Sequence, residues 1–215
     1  MKSIRRARGL AVVVAAALIA VLALALVPGA QAMKGKPAAP PADADVLLYR
    51  GATTVALDPG AAAALTSLGV TVAPTGSADA SKAGIRFPIT LGVVDATDLT
   101  GQIRHSGGLV FAKGATKVYL SRFFIDIDAS PSLSGRVGTA PGTGDRADLF
   151  TLDLSGLTVD AGHHRIALSG VTLKLTAGAA AALNGAFGTS AFTEGLVIGT
   201  ATVHARTISV PAWGE

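Results

Sequence analysis

Four histidines and two tyrosines are the side chains of this sequence best suited to bind a metal or to transfer a proton. They are His105, His163, His164, His204, Tyr49 and Tyr119. Neighbours in an extended strand point to opposite faces, so one metal ion would not easily bind both His163 and His164, and we expect an exposed loop there. His105 is expected as a polar residue at a strand end, and His204 on a solvated strand face.

The familiar catalytic motifs are absent. The sequence contains no G-x-S-x-G, no G-x-x-x-x-G-K and no H-E-x-x-H, and it has no cysteine to act as a thiol nucleophile. Glu194 and Glu215 are its only glutamates, which leaves no glutamate pair for acid–base work. Asp126 and Asp128 could contribute to a calcium site, but a solvated strand end is the simpler interpretation. We predict that the protein is not an enzyme and holds no metal ion through such a cluster.

The N-terminus is typical of an exported protein. A basic start is followed by an uncharged apolar run from Leu10 to Val27 and by the small-residue cleavage pattern Ala30-Gln31-Ala32. We predict a signal peptide over residues 1–32, with an uncleaved signal anchor as the alternative. A Pro/Ala-rich linker follows over residues 33–44, and a single β-rich domain over residues 45–215. No second membrane-spanning segment is expected, so we predict a secreted or cell-surface protein.

The net charge of +4 arises entirely in the predicted signal. Lys2, Arg5, Arg6 and Arg8 lie there without an acidic residue, so the rest of the chain carries 14 basic and 14 acidic residues. No basic run interleaved with aromatic residues follows, and we predict no binding of nucleic acid.

The strand signal is strongest over residues 84–128. Ile85, Phe87 and Ile89 alternate with polar positions, and Pro88 predicts an edge strand or a bulge. The Gly107-Gly108 pair predicts a hairpin turn. Residues 118–128 predict a long central strand whose one face would carry Tyr119, Ser121 and Phe123, where packing of the tyrosine is the ordinary expectation. Residues 130–135, 139–144 and 160–164 are expected turns or loops.

Two short alanine-rich helices complete the prediction. Asp58 and Pro59 predict the start of a helix that Gly69 ends, and Thr176 predicts the cap of a second helix over 177–186. Residues 54–65 and 172–183 both read as strand, cap and helix, which indicates a structural pseudo-repeat. The fold class is therefore mainly β, as an antiparallel sandwich or flattened barrel with two helices packed on it.

The stretch also resembles a known family. Phe87-Pro88, Gly92 with Val94-Asp95, the HSGGL segment from His105, the strand through Phe124–Ile127 and the late LTAGAAAAL segment are similar to the HtaA-like domain of secreted and cell-surface haem-binding proteins of actinobacteria. The resemblance implies a β-rich fold and haem held by a Tyr that a His supports. The family's Tyr segment has no counterpart here, because an alanine-rich helix takes its place.

Two function classes follow from these expectations. By resemblance, the protein is a ligand-binding module for haem or another small apolar ligand, and Tyr119 with His105 is the candidate pair of haem ligands, since iron accepts either side chain. The alternative is a structural or interaction domain of the cell envelope, which would have a protein partner and no small-molecule ligand.

Overall fold

The computed structural model describes residues 45–210; the predicted signal peptide, the linker and the last five residues lie outside that range. Twelve strands and two helices occur there. The strands are β1 (Asp45–Leu57), β2 (Thr71–Thr75), β3 (Asp79–Ser81), β4 (Gly84–Asp95), β5 (Gly101–His105), β6 (Gly108–Lys113), β7 (Thr116–Ile127), β8 (Ser132–Gly138), β9 (Asp145–Asp153), β10 (Thr158–Gly162), β11 (Arg165–Leu175) and β12 (Val197–Val210). The helices are α1 (Pro59–Ser67) and α2 (Ala177–Phe187).

Eight of the strands close into an antiparallel barrel. Their order is β7-β5-β4-β1-β12-β11-β9-β8, and β8 pairs back onto β7. The other four strands extend this wall: β2 and β6 continue from β7, β3 pairs with β4, and β10 pairs with β11. The barrel alternative of the predicted fold class is thereby confirmed, and closure removes the free edges of the eight-stranded ring.

Both helices leave the same end of the barrel. β1 and β11 each pair antiparallel with β12, so they run parallel to one another and finish at one end, where Leu57 pairs with Gly199 and Lys174 with Val197. The predicted caps are confirmed: the Asp58 carboxylate accepts from the backbone N–H groups of Gly60 and Ala61, and Thr176 Oγ1 accepts from Ala179 N–H. The strand–cap–helix repeat is thus present in the fold. No helix within residues 45–210 is long and apolar enough to cross a membrane.

Two features of β7 differ from the prediction. The hairpin turn lies at Gly114-Ala115, where Lys113 pairs with Thr116, because β5 and β6 both run antiparallel to β7 and form one interrupted strand. The face pattern also reverses at Arg122, which has a φ of 52° and marks a shift in the pairing with β8. Tyr119 and Phe123 therefore lie on opposite faces, since a bulge of this kind moves the alternation by one residue.

Three further expectations need correction. Residues 132–135, expected as part of a turn, belong to β8, which closes the barrel between β7 and β9. Residues 160–162, expected as a loop, end β10 and pair with β11. Pro88 lies in β4, which has neighbours on both sides, so the edge alternative is wrong and the bulge alternative holds: the register with β5 shifts between Ile89 and Leu91.

Gly51 marks a close approach of β1 to β12. Its φ is 152°, and a Cβ atom there would lie 2.1 Å from the carbonyl oxygen of His204 and 2.6 Å from the Cα atom of Ala205. We expect Gly51→Ala to lower the free energy of unfolding by more than about 3 kcal/mol, because a strained φ and a backbone clash add together. Urea denaturation measures this. Gly185→Ala, in α2 with nothing within 4 Å of the added atom, is the control and should leave stability equal or slightly higher. Equal stability of both variants would contradict the expectation.

Candidate functional site

A large apolar cavity occupies the helix end of the barrel. Its volume is about 1090 Å³, and inward-facing residues of both sheet and helices line it. Phe87 and Phe123 meet edge to face within it, with ring centroids 5.3 Å apart. Aliphatic side chains make up most of the remaining wall, among them Val55, Ile85, Leu120, Leu149 and Leu175. Ligand pockets usually have about 300–1,000 Å³ and an apolar lining with few polar groups. The cavity therefore has the size and chemistry of a small-molecule site.

The two helices contribute equivalent faces to the cavity. The lining residues have the spacing i, i+3, i+4 and i+7 in both cases: Ala61, Ala64, Leu65 and Leu68 at α1, and Ala179, Ala182, Leu183 and Ala186 at α2. This spacing places four side chains on one side of a helix. Three of the four are alanine in α2 and two in α1, so both helices approach the cavity without filling it. The alanine-rich composition of the pseudo-repeat thus has a structural consequence: it leaves the space empty.

The cavity opens to solvent along α2. Ala182 and Ala186 line the cavity and are nevertheless exposed. The charged residues at its rim are Lys117, Asp148 and Glu194, and all three are exposed. Within residues 45–210 the Lys117 side chain takes part in neither of the two ion pairs. An apolar molecule with a polar or anionic end could therefore enter and keep that end in water.

His105 and Thr53 are the buried polar residues of the cavity wall. The His105 side chain is only 5% exposed. Its Nε2 atom lies 2.7 Å from the hydroxyl oxygen of Thr53, a residue of β1. Its Nδ1 atom is buried and has no hydrogen-bond partner among the described residues. Burial lowers the pKa of His105 from 6.5 to about 4, and the backbone of Phe123 opposes part of this shift. The ring is therefore neutral at neutral pH.

The other sequence-predicted ligand lies elsewhere. Tyr119 is half-buried on β7 and is not among the residues that line the cavity, whereas its neighbours Val118 and Leu120 are. The reversal of faces at Arg122 explains why Tyr119 does not share the side of Phe123. The structure thus brings His105, but not Tyr119, to the cavity. Tyr49, the second tyrosine, also lies outside the lining.

The remaining histidines are not among the residues that line the cavity. His163 and His164 form the two-residue turn between β10 and β11 with their ring centroids 4.5 Å apart, and His204 is exposed on β12. In residues 45–210 no group of three or more His, Cys, Asp or Glu side chains is arranged to hold a metal ion. Sequence reasoning missed Thr53, which nothing local marks, because its partner His105 is 52 residues away.

Comparisons with known proteins agree on one fold. The model of the HtaA family, described as Htaa, matches residues 63–194. The C-terminal domain of HtaA from Corynebacterium glutamicum superposes with a TM-score of 0.58 at 16% identity, covering 76% of this chain and 99% of that one. The N-terminal domain of the same protein has a TM-score of 0.50 at 15% identity, covering 74% and 97%. The heme binding protein HtaB of that organism has a TM-score of 0.49 at 11% identity, covering 77% and 97%. No curated protein matches the sequence.

Proposed function

The chain belongs to the HtaA family, and from that premise we propose that it is an exported module of the cell envelope that binds haem or another small apolar ligand. The observation that carries the proposal is the cavity of about 1090 Å³ with its apolar lining and its single buried, neutral histidine. Haem is the first ligand to test, because the sequence resembles the HtaA-like domains of haem-binding proteins. The proposal of export rests on the predicted signal peptide over residues 1–32.

The residues present fit a haem group with a nitrogen ligand. His105 would hold the iron, since a neutral imidazole is a common axial ligand and Nδ1 is the ring nitrogen without a partner. Thr53 would fix the orientation of the ring through its hydrogen bond to Nε2, as partners of metal-bound histidines commonly do. Bound haem would supply an iron centre with a visible absorption band. Tyr119 lies outside the lining, so the proposal rests on His105.

The rest of the cavity suits the apolar body and the acidic edge of such a ligand. The rings of Phe87 and Phe123 offer aromatic surface, and the alanines of α1 and α2 leave room for a flat or extended molecule. At the rim, Lys117 offers a cation to a carboxylate that remains in water. A fatty acid shares this chemistry with haem, so it is the second ligand class to test.

A haemin titration of the purified protein, followed by visible absorption, tests the proposal. We expect a saturable shift of the main band in the wild type and in Tyr119→Phe. His105→Leu should change the position of the band and weaken binding by about tenfold or more, which corresponds to about 1.4 kcal/mol. Circular dichroism of each variant checks that it is folded.

Three outcomes are informative. A shift that His105→Leu leaves unchanged would overturn the role of His105, and loss of the shift in Tyr119→Phe would restore the tyrosine as a ligand. A protein that binds neither haemin nor a long-chain fatty acid would overturn the ligand-binding proposal. The envelope-domain alternative, with a protein partner and no small-molecule ligand, would then be favoured.

A further inference from the structure

Three arginines lie side by side on the outer wall of the barrel, away from the cavity. Arg206 of β12 pairs with Arg50 of β1 on one side and with Arg165 of β11 on the other. Directly paired residues of antiparallel strands point to the same face of a sheet. That face is the outer one, because Arg206 is exposed whereas its neighbours Ala205 and Thr207 are buried. The three side chains thus start from one row that spans about 10 Å, at about 4.8 Å per strand.

Among the described residues, no carboxylate forms an ion pair with this row. Between residues 45 and 210 the ion pairs are Arg86 with Asp79 and Lys174 with Asp153, and none involves the row. Like charges that face each other directly across strands destabilise a sheet. A chain that carries equal numbers of basic and acidic residues after its predicted signal nonetheless concentrates three arginines here. An uncompensated cluster of this kind indicates a site for an anion.

The row borders a groove with a floor of small residues. The groove has a volume of about 450 Å³, and Gly51, Ala167 and Ala205 line it together with His204 and one carboxylate, that of Asp160. His204 pairs with Ala167, so a small side chain lies beside the imidazole and leaves it accessible. Three guanidinium groups and an imidazole therefore line the groove. Asp160 is the one carboxylate among its lining residues.

Local backbone features hold the arginines in place. The register of β1 on β12 shifts between Leu48 and Arg50, and bulges of this kind turn a side chain toward a site. Gly51 then allows β1 to approach the backbone of β12 closely. On the other side, Arg165 directly follows the His163-His164 turn. The backbone N–H of Thr207 in β12 donates a hydrogen bond to the carbonyl oxygen of His164 in that turn. Strands β1, β11 and β12 thus hold the backbone positions of the three arginines in one row.

We propose that this groove binds a phosphate-bearing anion, held by Arg50, Arg206 and Arg165 with His204 as a further donor. Guanidinium groups bind phosphate oxygens in pairs, and three of them in a row match a diphosphate or a phosphate ester better than a single carboxylate. The site is separate from the cavity and does not depend on the ligand proposed there. The phosphate could come from a soluble compound or from a lipid headgroup at a membrane surface.

Isothermal titration of the purified protein with pyrophosphate and with inorganic phosphate, at low salt, tests the site. We expect saturable binding that weakens as salt rises. Arg206→Gln and Arg165→Gln should each weaken it by about tenfold or more, because each removes a charge-assisted contact. Lys82→Gln, which removes one charge from an exposed turn elsewhere, should change binding by less than about twofold. Without phosphate the arginine variants should unfold at the same or a higher temperature, since they relieve repulsion.

Co-sedimentation with phosphatidylcholine vesicles that contain phosphatidylglycerol separates the two sources. Binding to the vesicles without binding to soluble phosphates would assign a lipid headgroup, and the reverse would assign a soluble compound. Either assignment requires that Arg206→Gln weakens the observed binding by about tenfold or more. The proposal is overturned if neither probe binds, or if Lys82→Gln weakens binding as much as Arg206→Gln, because the effect would then come from net charge alone.

Discussion

The double variant Ala64→Phe/Ala182→Phe is expected to lose haemin binding while remaining folded. Both alanines line the cavity, one from each helix, and phenyl rings at these positions would project into the space that the ligand needs. Pushing a ring aside in a packed interior costs about 1–3 kcal/mol, so two rings should weaken binding by more than about 30-fold. Stability should stay equal or rise, because the rings enter an apolar space that is empty. The haemin titration and urea denaturation measure the two quantities.

The chain offers a matched control for this experiment. Ala63 and Ala181 lie next to the substituted residues, are exposed, and do not line the cavity. The variant Ala63→Phe/Ala181→Phe adds the same two rings on the outer sides of the same helices. It should bind haemin like the wild type. If the filled variant also binds like the wild type, the ligand does not occupy the cavity, whatever the result for His105.

Local signals made the helices and the alternating strands predictable. Asp58, Pro59 and Thr176 determine the starts of α1 and α2 through contacts within three residues, so the sequence alone contains the information. The alternation of Phe87 and Ile89 in β4 is likewise local, and both residues are buried as expected. The pseudo-repeat was visible for the same reason. Its consequence, that both helix faces line one cavity, depends on the pairing of β1 and β11 with β12.

Several of the missed features depend on partners that are distant in sequence. Strand β8 has little apolar alternation, because Gly135 takes the inward position between Leu133 and Val137. A Cβ at Gly135 would lie 2.9 Å from atoms of Leu149 and Phe123. The bulge at Arg122 reversed the predicted faces of β7 and separated Tyr119 from the cavity. The arginine row was invisible because its members come from three strands that are 41 or more residues apart. No single segment of the sequence contains the information that closes the barrel.

His105 is expected to make the protein sensitive to mild acid. Its pKa is about 4 in the folded protein against an ordinary value of 6.5, so between these two values the unfolded chain binds a proton that the folded chain excludes. Stability therefore falls as the pH drops from 6.5 to about 4, and this group alone accounts for about 3 kcal/mol. Below pH 4 both states are protonated and the loss from His105 is complete. Urea denaturation at pH 7 and pH 4 measures it.

The double variant Thr53→Val/His105→Leu isolates this effect. It replaces both partners of the hydrogen bond by apolar groups, which avoids leaving an unpaired hydroxyl and should change stability at pH 7 only slightly. At pH 4 the variant should then be more stable than the wild type by about 3 kcal/mol. His204→Gln, at an exposed histidine, should keep the wild-type loss.

Carboxylates do not obscure the comparison of the two proteins. The pKa of Asp153 is lowered, chiefly by its hydrogen bond from Lys174, and the pKa of Asp98 is lowered by its hydrogen bond from the Thr100 backbone. Both groups stabilise the fold above their unfolded pKa values and lose that effect as the pH falls, but they do so equally in wild type and variant. A difference between the two proteins that stays constant from pH 7 to pH 4 would mean that His105 is solvated or charged in the folded state.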